Sequence, residues 1–283
     1  MAALHLASCW WAMPGSETGM TTPPAQRLPL GHSLFARYAL PPNELGYCGP
    51  GDPKVLLDDN PAEIAAHARK FDGTWPYLTA IAEAAGVDEP LDAEVVRSYW
   101  VGGPLLNQIE PASLLDTLRH AFAGQATGLL ADLTDPAGVL AHHSFHVFVV
   151  YPWVRFLDRD ATTALRVLQD CRIRWGTVES VEDEAAVIVS RPLVFDSSVI
   201  ALGDAMTERV QWSQDGVSLV SAPQPGDMVS AHWHRICDIL TDSEAEALAT
   251  ATQTTLDLVN TVRRVSAQTP TGSQRPSPDP RRR

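Results

Sequence analysis

The side chains in this chain best suited to chemistry are thiols and imidazoles. It carries Cys9, Cys48, Cys171 and Cys237 among nine histidines. Three histidines crowd one segment, His142-His143 and His146. On a helix, His142 and His146 lie one turn apart and can bind a metal together with Cys48. No glutamate stands between them, so this is not a zinc-protease motif, which needs a carboxylate base beside the metal-bound water. Core histidines bonded to backbone carbonyls are the plainer alternative. A second set is His232-Trp-His234-Arg-Ile-Cys237. On a strand, His232 and His234 face the same side, and Cys237 can reach back from the following turn. A structural zinc site would need another close pair. The plainer alternative leaves one histidine exposed and packs Cys237 under a helix. Cys171 is followed by Arg172 and Arg174, whose charges would lower its pKa and favour the thiolate. Otherwise it is a small apolar residue at a helix-to-strand junction.

Other chemistries lack their signatures. There is no glycine-flanked nucleophilic serine, dinucleotide fingerprint or kinase-like set. Gly46-Tyr-Cys-Gly-Pro-Gly-Asp52 must be a loop, because three glycines and a proline defeat both regular structures. It lacks the lysine of a phosphate loop, and its apolar flank implies packing. Asp58-Asp59 and Glu182–Glu184 read as surface carboxylates.

The elements that must position these residues fall into two kinds. Ser33–Leu40 is expected as a short amphipathic helix ended by Pro41-Pro42. Asn60 caps a helix with Pro61 at its first position and Ile64, Ala68 and Phe71 inward. Further helices are expected over 76–85 ending at Gly86, over 92–100, and over 111–123 with Leu114, Leu115, Leu118 and Phe122 inward. The apolar stretch 137–157 is buried, as helix or strand. Asp160 caps a last helix over 161–169. From Cys171 onward the pattern becomes β: runs at 171–181, 185–190, 193–195, 199–202, 208–212, 217–220 and 228–233, each bounded by Asp, Ser, Gly or Pro. Short, closely spaced strands with turn residues between them predict a barrel. Thr241-Asp-Ser-Glu244 is a capping box opening a helix to about residue 265. The fold class expected is α+β. Residues 1–30 form a disordered leader, 31–170 a mostly helical domain, 171–265 a small β-barrel plus helix, and 266–283 a disordered basic tail.

Composition narrows the function. A net charge of −13 argues against nucleic-acid binding, which normally shows a basic stripe. No apolar run is long enough for a membrane span, and the start lacks the basic region of a secretory signal. Four cysteines in a long chain do not make a disulfide scaffold. The cytoplasm is the expected compartment.

A cysteine before the first strand, a small barrel, the turn Pro225-Gly-Asp227, a strand carrying His232 and an acidic helix together resemble the HypC/HupF family of hydrogenase-formation chaperones. The resemblance covers the final third of the chain and implies an OB-like, HypC-like barrel. It also implies a role in maturation or assembly of [NiFe] hydrogenase. Cys171 and His232 then stand at the positions that handle iron with its cyanide and carbonyl ligands, and the partner is a hydrogenase large subunit or another maturation protein. Two departures stand out: Cys171 is internal, and Arg172-Ile-Arg-Trp175 replaces the family's small, proline-containing stretch. The chain as a whole also resembles an uncharacterised actinobacterial family, a domain of unknown function found near hydrogenase genes. The residues carrying this are Phe35-Ala-Arg-Tyr-Ala39, Gly46–Pro50, His142–Phe148 and Tyr151-Pro-Trp153. The rival expectations are a metal-dependent enzyme built on Cys48, His142 and His146, and an inert adaptor.

Overall fold

The computed structural model describes residues 28–196 and 198–268. The leader expected at 1–30 and the tail expected at 266–283 lie mostly outside them. The described part is a mixed helix and sheet protein, with a helical N-terminal region, strands in the C-terminal part and a final helix.

The first helix, α1 (Leu30–Glu44), runs straight through Pro41 and Pro42, where the sequence predicts its end. Prolines that close together cost a helix two N–H donors. Here they lie in its last turn, where Leu40, Pro41, Pro42 and Asn43 are all buried, so tertiary packing outweighs the loss. α2 (Pro61–Ala68) has the expected cap, with Asn60 accepting from the Ala62 N–H. α3 (Trp75–Ala85) stops at Gly86, which takes the left-handed conformation at φ 64°. α4 (Ala93–Trp100) and α5 (Pro111–Ala121) follow closely the expected helices.

The apolar stretch 137–157 resolves into neither a long helix nor a strand. A single turn, α6 (His143–Phe145), passes into a π-helical turn over His146–Val150, all five residues of which are buried. Pro152 then opens a 3-10 turn. α7 (Ala161–Cys171) is capped by Asp160, which accepts from the Thr163 N–H. It runs two residues further than expected, so Cys171 ends a helix instead of starting a strand.

The strands are β1 (Arg174–Val181), β2 (Ala185–Ser190), β3 (Leu193–Phe195), β4 (Ile200–Leu202), β5 (Met206–Gln211), β6 (Met228–His232) and β7 (Arg235–Ile239). β3 and β4 pair only with each other, as a separate hairpin. The other five are paired in the cyclic order β1-β2-β5-β7-β6. One seam is minimal, since β5 meets β7 through a single parallel pair, Gln211 with Arg235. The result is a curled sheet whose outer strands touch at one point, not a continuously laddered barrel. Two expectations fail locally. The run at 217–220 forms no strand, only a bridge from Val217 to Gln214. β7 lies where the sequence predicts no strand, and a register shift opposite Ser230 and Ala231 interrupts its alternation.

Val178, Ile188, Val210, Val229 and Ile236 fill the inside of this sheet. The larger core runs without a break from α1 through Cys171, Trp233 and Cys237 to the last helix, α8 (Asp242–Gln268). The expected box at its start is present: Glu244 accepts from the Thr241 N–H at 2.8 Å, and Thr241 Oγ1 accepts from the Glu244 N–H at 3.3 Å.

Candidate metal centre

The functional geometry gathers at the C-terminal end of α7. Helix ends leave carbonyls without intrahelical partners, and two of those here are taken from elsewhere in the chain. The Trp233 N–H donates to the Asp170 carbonyl at 2.8 Å. His143 Nε2 donates to the Cys171 carbonyl at 2.9 Å. Trp233 is the first residue of the turn between β6 and β7 and holds a left-handed backbone at φ 52°, a conformation uncommon for a bulky side chain. Together these bonds draw His232, at the end of β6, and His143, at the start of α6, onto Cys171. One donor atom from each of His143, Cys171 and His232 lies within 4.8 Å of the others.

All three side chains are buried. His232 Nδ1 is 2.7 Å from the Tyr38 carbonyl. A carbonyl can only accept, so Nδ1 carries the hydrogen and Nε2 carries the lone pair. Nε2 is buried and, among the described residues, has no hydrogen-bond partner of normal geometry. A backbone carbonyl holding one imidazole nitrogen so that the other can ligate is the usual arrangement of metal-binding histidines. His143 is satisfied at both nitrogens, since the Tyr99 hydroxyl lies 3.0 Å from Nδ1. That hydroxyl can also donate to the Gly73 carbonyl at 3.4 Å. Freeing either nitrogen to ligate costs one of these hydrogen bonds. Trp100 forms the wall, its ring centre 4.6 Å from that of His143 and 5.7 Å from that of His232.

Burial sets the charges. It pushes His232 down to about 3 and His143 well below the usual imidazole range, so both rings are neutral; His232 has a lone pair to offer, whereas His143 must first give up a hydrogen bond. It pushes the Cys171 thiol well up, with Cys48 and Asp170 adding to the shift. The expectation that Arg172 and Arg174 favour the thiolate is thus overturned. Arg172 turns away to Gln169 and the Arg191 carbonyl, and Arg174 is paired with Glu208. A bound cation would favour the thiolate against that cost.

One thiolate and two imidazoles suit zinc or another borderline divalent ion. Donors sharing a tetrahedral ion with bonds of about 2.0–2.3 Å stand about 3.5 Å apart. The trio therefore needs an inward shift of about 1 Å to close on an ion. The unpartnered Nε2 and the donor types fit a metal.

The other candidate residues separate. His142 is the N-cap of α6, its Nδ1 accepting from the Ser144 N–H at 3.0 Å, and burial pushes it down to about 4. His146, also lowered to about 4 by burial, instead lines a cavity of about 370 Å³ together with Cys48. His142, Cys48 and His146 therefore do not form one site as expected. His234 lies in the turn after β6, half-buried and 4.0 Å from Glu44, so it does not share a face with His232. Cys237 is fully buried on β7. The sequence does not mark His143 as a partner of Cys171: its place in the His142–His146 group is visible, but which of three neighbouring rings turns toward α7 is not.

A family model described as a family of unknown function, DUF6390, matches residues 27–266. No curated protein and no solved structure matches the chain significantly. Spanning most of its length, the match shows that the chain belongs to the DUF6390 family.

Proposed function

We propose that this protein is a metal-handling accessory protein, and that Cys171 and His232 are the thiolate and imidazole that hold the metal. The observation that carries this is their approach within 4.8 Å, with His143 as a third donor. Following the resemblance of the C-terminal third to the HypC/HupF chaperones, the process served is [NiFe] hydrogenase maturation or assembly. The cargo is iron with its small ligands, and the partner is a large-subunit precursor or another maturation protein. A compact curled sheet followed by a capped helix supports that reading.

Burial adds a condition. Passing a metal to a partner requires α1 to lift from the sheet, because its Tyr38 carbonyl holds His232. That movement breaks the ion pair of Arg37 with Asp238, at 2.8 Å. The test is purification from a hydrogenase-competent host, followed by iron analysis and infrared spectroscopy for cyanide and carbonyl bands. Bound iron and a co-purifying hydrogenase protein, both lost in Cys171→Ala, are the expected result. Absence of both from the wild-type protein overturns the hydrogenase reading.

A second reading is favoured by one observation. Three protein donors leave a fourth coordination position, as catalytic zinc sites do, and a cavity stands beside His143's neighbour His146. In that reading the protein is a metal-dependent enzyme. It retains one equivalent of metal after purification, with no hydrogenase partner.

A further inference from the structure

The trio is buried, so a cation needs a way in, and a cavity of about 370 Å³ stands nearby. The cavity is formed by the loop that follows α1, the segment between α2 and α3, the segment after α5, and the π turn with the residues just beyond it. Tyr47, Cys48, Thr74, Phe122, His146 and Tyr151 are among its lining residues. The loop is held in place, because Asn43 Nδ2 donates to the Cys48 carbonyl at 2.8 Å and to the Pro50 carbonyl at 2.7 Å. Cys48 is therefore fixed at the cavity wall.

His146 is only 8 % exposed. Its Nδ1 is buried with no hydrogen-bond partner among the described residues, an expensive arrangement for a polar atom. Gly73 packs against the same ring, and a Cβ there would stand 2.8 Å from Nε2. Only a glycine leaves the ring its place. Behind His146 the rings continue inward: its centre lies 6.3 Å from that of His143, nearly parallel to it, and His143 lies 5.1 Å from His232. Imidazoles thus step from the cavity wall to the trio.

We propose that the cavity is an acquisition site for a soft or borderline divalent cation, which Cys48 and His146 bind first and then pass by way of His143 to Cys171 and His232. Each thiol releases its proton to water as it takes the cation, Cys48 takes one back when the cation moves on, and no oxidation occurs. Lys70 and Asp72, of opposite sign, also line the cavity. Selection therefore rests on sulfur and imidazole rather than on charge alone. The inference depends on the trio being a metal site.

Cobalt(II) is the probe, because its thiolate and ligand-field absorption reports both occupancy and rate in the full chain. Wild-type protein is expected to take up cobalt with a thiolate band that Cys171→Ser shifts to that of cobalt held at Cys48 and that the double variant Cys48→Ser/Cys171→Ser removes. Cys48→Ser and His146→Gln are expected to reach the same final spectrum, with uptake slowed by about tenfold or more. Ala126→Trp, at the exposed rim of the cavity, is expected to slow uptake in the same way without touching either donor. An unchanged final spectrum shows that the variants fold. Uptake at the wild-type rate in all three overturns the acquisition site while leaving the trio intact. Failure of wild-type protein to bind cobalt removes the trio as a metal site and the route with it.

Discussion

The Nδ1 atom of His232 donates to the carbonyl oxygen of Tyr38 across 2.7 Å, and that carbonyl is available because residue 42 is a proline. In an uninterrupted helix the N–H of residue 42 would bond to the carbonyl of residue 38. Pro42 has no N–H, and the acceptor it leaves open in α1 becomes the anchor for a ring on β6, in the other half of the fold. A helix irregularity thus sets the tautomer of a candidate ligand.

Pro42→Ala tests this directly. The restored N–H competes for the Tyr38 carbonyl, so His232 loses its fixed orientation. Losing such a supporting hydrogen bond typically weakens metal binding by about 10–100-fold. Helix stability should not suffer, since a proline leaves a helical position. Cobalt titration together with thermal unfolding checks both halves of the expectation. Unchanged affinity shows that the carbonyl does not orient the ligand.

Zinc should stabilise the protein through the trio. A ligand that binds only the folded state, at about 1,000 times its Kd, adds about 4 kcal/mol. Calorimetry should therefore show a zinc-dependent rise in Tm for wild-type protein. The rise should vanish in Cys171→Ser and in His232→Ala, and persist in Cys237→Ser, whose sulfur is outside the trio.

Metal-free protein should lose stability as the pH falls below about 6.5. Burial lowers His142 and His146 to about 4 and His232 to about 3, so in the acid range the unfolded chain binds protons that the folded one refuses. Above the unfolded value the rings are neutral in both states and contribute no slope. Between there and the folded values, each group removes about 1.4 kcal/mol per pH unit. Asp170 and Asp238, whose carboxyls burial holds up, act in the opposite direction and reduce the slope. Urea unfolding between pH 7 and 4 measures the sum, and His142→Asn should make the curve shallower.

Trp100 is the packing element most closely joined to the site. It is fully buried, stacks on Tyr38 with ring centres 5.4 Å apart, and touches His143 and His232. Trp100→Ala should cost about 3–5 kcal/mol of stability. Trp100→Phe keeps part of the wall and should cost less while still loosening the trio, which the width of the cobalt bands would report.

The local elements were legible in the sequence wherever a short-range physical rule decides them. Asn60 and Asp160 as caps, Gly86 as a stop, and the Thr241–Glu244 box depend on neighbours within a turn, and they stand where the sequence placed them. So do the inward faces of the helices, read from their period. The candidate donors were also legible as residue types. What the sequence could not decide was anything set by contacts between distant segments. α1 continues through two prolines because burial outweighs two lost hydrogen bonds. The stretch 137–157 becomes a turn of α-helix and a π turn because its surroundings, not its period, choose the backbone. The trio exists because the carbonyls of Asp170 and Cys171, unmatched at the end of α7, are met by an N–H from the β6–β7 turn and by a ring from α6. Spacing along the chain carries no record of which donor will cross to which acceptor; that was decided only when the helical half closed over the sheet and left those groups no water to bond to.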